Sequence, residues 1–205
     1  YNISMKVKTP YLEKIRKMLS DQNGVITTSD LAQFDIPRVY LSLLEQNGKI
    51  ERVSRGVYKT PSAMQDEMFI FQSKYKSCIY SHETALFLHD LTDRTPLHYS
   101  ITVPSGYHSS SLNGSEYKIY YVNRKLLDLG VVVAQSPQGN ELRVTNLERT
   151  ICDILRSRNQ MDVQYVTNAL KRYVTRKEKN INLLYSYAKA FHVQKIVRQY
   201  LEVLL

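Results

Sequence analysis

The sequence predicts an α+β fold, an N-terminal winged helix-turn-helix followed by a larger α+β domain that ends in helices. Three observations predict it. Residues 1–61 run through helical, short helical, helical and then two alternating strand-like stretches. The middle of the chain carries strand-like runs rich in Tyr, Ile and Val. From Asn146 onward helical spacing lasts to the end. Strands and helices grouped in blocks, rather than strictly interleaved, indicate α+β.

From Thr9 the apolar set Leu12, Ile15, Met18 and Leu19 recurs at three- and four-residue spacing. Thr9 is the expected N-cap, Pro10 the first helical residue and Asn23-Gly24 the stop. After Val25-Ile26, Thr27 or Thr28 can cap a two-turn helix whose Leu31, Ala32 and Phe34 face inward, with Asp35 as its breaker. Pro37 starts a third helix to Gln46, with Val39, Tyr40, Leu43 and Leu44 inward and Asn47-Gly48 as a left-handed cap. Residues 49–53 and 56–59 alternate around Ser54-Arg55 and form a hairpin, the wing.

The soft joint is residues 59–66, where a proline and small polar side chains follow the hairpin; it sets the expected boundary between a 1–61 winged helix-turn-helix domain and a 62–205 α+β domain. Residues 66–91 read as helices, 98–103 and 117–122 as strands flanking a polar loop at 104–114, and the apolar run 130–134 as a strand covered on both faces. Asn146 caps a helix to residue 157; further helices are expected over 162–175 and 180–205.

The 205 residues, 43% hydrophobic, supply a core and exclude a disordered tail. Lysine and arginine number 28 against 19 acids, for a net charge of +9 and a pI near 9.4. Residues 1–61 carry +4, 62–135 carry −1 and 136–205 carry +6. Two basic ends around a neutral middle point to a polyanion, nucleic acid first, with a solvated basic surface as the plain alternative. No stretch has the length of apolar residues a membrane span needs, and the polar opening lacks a secretory core, so a soluble, cytoplasmic protein is expected. The chain opens on Tyr1, and whether the residues before Met5 are native is left open. Cys78 and Cys152 lie in apolar runs and read as buried thiols in a reducing compartment.

In a winged helix the third helix enters the major groove and the wing lies over phosphate or minor groove. Arg38 and Ser42 fall on the solvent side of that helix and Tyr40 near its edge; Arg52, Ser54 and Arg55 project from the wing. These are the expected DNA contacts, with Thr27, Thr28 and Ser29 offering hydroxyl or N–H groups to phosphate at a helix start. Basicity on the recognition helix is thin, and winged helices also serve as protein-interaction modules.

The runs 48–61 (GKIERVSRGVYKTP), 80–86 (YSHETAL) and 145–153 (TNLERTICD) resemble the AbiE-type abortive-infection antitoxins of bacteria, over nearly the full length. The resemblance implies the fold above and a repressor that binds inverted repeats in the double-stranded DNA of its own promoter. It also implies a type IV antitoxin in phage defence, which counteracts a nucleotidyltransferase-like toxin encoded beside it without a stable complex.

Two stretches of the second domain bear chemistry. Ser81-His82-Glu83 with Cys78 nearby holds the residue types of nucleophilic catalysis, and Cys78 and His82, four apart, could meet. A helix-capping Ser81 with a packed His82 is the plainer reading, because nothing supplies an oxyanion site and the resemblance implies no catalysis. No enzyme activity, metal or other cofactor is therefore expected; the remaining histidines lack zinc-site spacing and no Gly-rich loop cradles a nucleotide. The second stretch is Lys171, Arg172, Arg176, Lys177 and Lys179, five cations in nine residues. They exceed what a helix C-terminus needs, and are expected to grip phosphates beside the site that the wing reads. The expected state is a monomer in solution, with two copies on DNA and no membrane partner. Should the winged helix not touch DNA, it serves as a protein-interaction scaffold.

Overall fold

The computed structural model describes residues 9–108, 112 and 117–204; Met5 and most of the 104–114 loop beyond His108 lie outside them. The chain forms two compact units, residues 1–75 with 135–141 and residues 76–134 with 142–205. The first unit thus runs past the joint read at 59–66.

The first unit opens with α1 (Thr9–Asp21), β1 (Val25–Thr27), α2 (Thr28–Gln33), α3 (Val39–Gln46), β2 (Glu51–Ser54) and β3 (Val57–Lys59). The strands form an antiparallel sheet in the order β1-β3-β2. Thr27 and Asp30 make a reciprocal capping box at the start of α2: the Thr27 hydroxyl accepts from the Asp30 N–H and the Asp30 carboxylate from the Thr27 N–H. Gly48, at φ +64°, closes α3: its N–H donates to the Glu45 carbonyl, and the Lys49 N–H to the Leu44 carbonyl. That is the Schellman pattern the Asn47-Gly48 pair predicts. Ile15, Met18, Ile26, Leu31, Leu41 and Ile50 build the core between helices and sheet.

Helix α4 (Glu67–Lys74) also belongs to this unit. Buried Asp66 caps it through the Phe69 N–H and accepts further hydrogen bonds from the Ser136 hydroxyl and the Asn140 amide. Such donors offset the desolvation cost of burying a carboxyl group. They come from the turn at 135–141, too distant in sequence to be paired with Asp66 by pattern.

The second unit is a mixed sheet with helices. Strands β4 (Ile79–Tyr80), β5 (Tyr99–Pro104), β6 (Tyr117–Val122), β7 (Val131–Gln135) and β8 (Glu141–Thr145) stand in the order β6-β5-β4-β8-β7. Strands β5 and β6 are parallel, as are β4 and β8, while β4 and β5 are antiparallel. Three expectations change here. The 66–91 segment is not all helical, since β4 lies between α4 and α5 (His82–Leu88). The 130–134 run is an edge strand open to solvent, with Val133 63% exposed, because hydrophobicity alone cannot distinguish a covered strand from an edge. The 180–205 helix is two, α8 (Ile181–Ala190) and α9 (Gln194–Leu204), broken where His192 adopts φ +57°. Before them α6 (Leu147–Arg156), capped by Asn146, and α7 (Val163–Thr175) follow the predicted pattern. Ile151, Ile154, Leu170, Tyr173, Leu184 and Val197 are among the residues that form this unit's core.

Candidate nucleic-acid interface

Arg38 sits at the N-cap of α3, and Arg38 and Ser42, four residues apart, are both exposed. That spacing puts them on one side of the helix. Arg52 and Arg55 are exposed on the β2–β3 hairpin; the Arg52 Nε–H donates to the Ser54 carbonyl at 3.3 Å, while Arg55 has no hydrogen bond or ion pair among the described residues. A one-residue irregularity between Arg52 and Ser54 shifts the ladder register before the turn. Gly56 closes the turn at φ +76°, and a Cβ there would come 2.8 Å from the Thr28 hydroxyl oxygen. The Gly56 carbonyl accepts from the Thr28 N–H at 2.8 Å, which fixes the hairpin tip against the start of α2.

The remaining expected contacts fall differently. Tyr40 is 7% exposed and packs edge-on against Tyr11, with ring centroids 5.3 Å apart, so it serves the core rather than the exposed face. Thr27 and Thr28 spend their N–H groups on Asp30 and Gly56, and with Ser29 they are half-buried. Ser54 is half-buried and supplies the carbonyl that Arg52 uses. Phe34 and Val39, aimed inward by the helical pattern, are 45% and 42% exposed, and the Lys14 ammonium lies 4.0 Å from the Phe34 ring centroid. Both helices are too short for a wheel of residues to fix which side is covered.

In the second unit the five-cation stretch is largely engaged. Arg172 forms a two-pronged ion pair with Asp93, whose carboxyl it holds below the usual range. Arg176 donates to the His89 carbonyl at 2.6 Å and pairs with Glu178 at 3.2 Å; Lys179 donates to the Arg176 carbonyl at 3.2 Å. Lys171 and Lys177 are exposed and, among the described residues, have no such partner.

The 80–86 motif builds a buried polar knot. Ser81 occupies the N-cap position of α5, yet its hydroxyl does not cap; it bonds the His82 Nδ1 at 2.9 Å and accepts from Thr102 at 2.8 Å. His82 is fully buried at φ +46°, its ring stacked 3.4 Å from Tyr120 and its Nε2 3.1 Å from the Ser157 hydroxyl. With both ring nitrogens engaged by hydroxyls, Cys78 is not its partner, and burial pushes that thiol up to about 11. Glu83 accepts from Ser100 at 2.6 Å and Lys118 at 2.9 Å. These groups satisfy one another, which is the arrangement of a structural network.

Burial, with Arg156, Arg149 and Lys118 adding to it, pulls the His82 pKa well below its ordinary value, so the folded state holds the ring neutral. The unfolded chain gains a proton near pH 6.5 that the folded chain refuses, so stability is lost as pH falls below that value. Denaturant unfolding between pH 7.5 and 5.5 is expected to lose up to about 1.4 kcal/mol per pH unit through this group. His82→Gln should flatten the profile, leaving the smaller fall that half-buried His89 contributes in the same direction.

Comparison with known proteins bears on the first unit most directly. Residues 13–60 match the family described as transcriptional regulator, AbiEi antitoxin. No curated protein matches the chain. Among solved structures, the fold is similar to the RV2827C protein from Mycobacterium tuberculosis, at 13% identity and a TM-score of 0.53, over 88% of this chain and 71% of that one. Among the described residues, no helix is long and apolar enough to cross a membrane. Residues 13–60, the segment that holds the exposed arginines of α3 and the hairpin, therefore carry the signature of the AbiEi antitoxin family of transcriptional regulators, the family that the sequence motifs resemble.

Proposed function

We propose that the protein is the antitoxin of a type IV abortive-infection system and represses its own operon by binding inverted repeats in the promoter. Its first unit acts as a winged helix-turn-helix, with α3 in the major groove and the β2–β3 hairpin as the wing. The observation that carries this reading is the set Arg38, Ser42, Arg52 and Arg55, exposed within the segment that matches the regulator family. Arginines on a hairpin position a duplex through phosphates, and a side chain on the helix reads a base edge. The second unit serves the antitoxin role, countering a nucleotidyltransferase-like toxin without a stable complex. The protein works as a monomer, two copies filling one operator and bending the duplex at a cost of about 1–6 kcal/mol that added contacts offset.

Fluorescence anisotropy with duplex from upstream of the protein's own gene, against shuffled duplex, over a salt series tests the DNA part. Tighter binding to the native duplex with a steep negative salt slope is expected. Equal, salt-insensitive binding to both would overturn it. Co-expression with the adjacent gene tests the antitoxin part: growth should be restored without co-purification.

The exposed pair Phe34 and Val39 favours a second reading, in which this corner docks a protein. Alanine at both positions should leave promoter affinity within a few-fold if DNA is the partner.

Only Lys171 and Lys177 of the basic stretch have no partner among the described residues, so they carry any phosphate contact it makes. Their joint replacement by alanine is expected to reduce the salt slope by about one to two, since each neutralised phosphate contributes about 0.9. An unchanged slope removes the stretch from the DNA footprint.

A further inference from the structure

The base of the hairpin, away from its tip, forms one side of a cleft of about 570 Å³ within the first unit. Its lining includes Arg16, Ser20 and Asn23 from α1 and the turn after it, Lys49 after α3, and Thr60 and Ser62 after β3. Leu19, Leu44 and Ala63 supply its apolar wall. The size falls in the range of small-molecule sites, and a mainly apolar wall with a few converging polar groups is their usual make-up.

The charges are one-sided. Among the described residues no carboxylate lines the cleft, and the side chains of Arg16 and Lys49 are exposed with no ion pair or hydrogen bond. Five cations of the second unit, Arg94, Lys118, Arg143, Arg172 and Arg176, by contrast each meet a carboxylate.

The wall is also fixed in place. The Thr60 N–H donates to the Gly24 carbonyl at 2.8 Å and the Ala63 N–H to the Thr60 carbonyl at 3.1 Å. The ammonium of Lys59, itself ion-paired with Glu51, donates to the Ala63 carbonyl at 3.1 Å. Gly24, at φ +79°, lets the two turns approach so closely that a Cβ there would come 2.6 Å from the Thr60 hydroxyl oxygen. The Asn23 amide is anchored by donating to the Gly139 carbonyl at 2.7 Å. A guanidinium, an ammonium and three hydroxyls over a fixed apolar wall match a phosphate dianion attached to an apolar or planar body.

We propose that this cleft is a binding site for a small phosphate ester of nucleotide size, with Arg16 and Lys49 holding the phosphate and the Leu19–Leu44–Ala63 wall taking its body. DNA backbone phosphate offers the same group from another source. The cleft lies at the opposite end of β2 and β3 from Arg55, whose turn is the expected DNA contact, so the free ester is the occupant.

Amide chemical-shift titrations of the full chain with AMP, inorganic phosphate and adenosine, alongside anisotropy with promoter duplex, test this. AMP is expected to saturate shifts clustered at Asn23, Gly24, Lys49, Thr60 and Ser62, phosphate to shift the same set more weakly, and adenosine to leave it unmoved. Arg16→Ala with Lys49→Ala should weaken AMP by about tenfold or more. Ser20→Glu, which keeps both cations but sets an opposing carboxylate one helical turn from Arg16, should weaken it likewise. Duplex affinity should stay within a few-fold in both variants. Three results would each overturn the assignment: adenosine matching AMP, no clustered and saturable shift with any phosphate, or AMP binding unaffected by the double variant. A loss of duplex affinity in that variant without an AMP site would give the two cations to DNA instead.

Discussion

Replacing Arg149 by leucine is expected to destabilise the protein by about 3–5 kcal/mol, the cost of stranding one member of a buried ion pair. Arg149 is wholly buried: its Nε–H donates to Asp153 at 2.9 Å, and Nη1 donates to the Leu126 and Leu129 carbonyls at 3.0 and 2.6 Å. Its guanidinium carbon lies 4.0 Å from the centroid of the Phe191 ring. Truncation leaves the Asp153 carboxyl without its cation in a site where burial already pushes its pKa up against the pull of Arg149 and Arg156. The two carbonyls also lose their donor, and buried polar groups left unpaired add their own desolvation cost. The neighbouring backbone is shaped for this side chain: Gly130 sits at φ +72°, where a Cβ would come 2.8 Å from the Arg149 Cβ.

The pair is not perfectly satisfied, which predicts a second result. Arg149 Nη2 and one Asp153 oxygen have no hydrogen-bond partner among the described residues. Arg149→Leu combined with Asp153→Leu removes both charges at once and is expected to recover most of the loss, since apolar replacement of a buried pair is often neutral or better. Urea unfolding of the two single variants and the double variant closes the cycle. If Arg149→Leu alone cost under about 1 kcal/mol, the pair would behave as an exposed one.

The local part of this architecture is legible in the residues themselves, and legibility ends where partners are far apart in the chain. The Asn146 cap and the Gly48 closure are decided within a few residues, so residue type and spacing reveal them, whereas the start of α2 reads equally as Thr27 or Thr28 until the Asp30 carboxylate is seen to bond the Thr27 N–H. The two-residue β4 is too short to show a period, and it is central only because β5 and β8 flank it. The basic stretch reads as free cations until Asp93, 79 residues from Arg172, and the His89 carbonyl, 87 from Arg176, are seen to hold them. Tyr40 is ambiguous for another reason: on α3, only eight residues long, it satisfies both the inward pattern and the edge of the outward face, and packing on Tyr11 decides between them. Arg149 and Asp153 carry an i, i+4 spacing that reads equally as a surface pair; burial is what makes it costly.

Promoter affinity should fall by about two orders of magnitude or more at moderate salt when Arg38, Arg52 and Arg55 are all replaced by alanine, and the three do not contribute alike. Arg52 and Arg55 lie on the hairpin proposed to meet phosphate, so each single replacement should weaken native and shuffled duplex equally and reduce the salt slope by about one. Arg38 begins α3, the helix proposed to enter the groove. Its loss should cost the native duplex about 10- to 100-fold, with relaxed discrimination at one base pair, as for removal of a bidentate arginine–guanine contact. The contrast separates positioning from reading, because a merely basic surface has no reason to distinguish Arg38 from its neighbours. All three are exposed, and of their side chains only Arg52 makes a hydrogen bond among the described residues, a long one to Ser54, so unfolding midpoints should stay at the wild-type value. A uniform loss across all three, on every duplex, would leave the first unit as a nonspecific polyanion binder and return sequence recognition to groups outside α3.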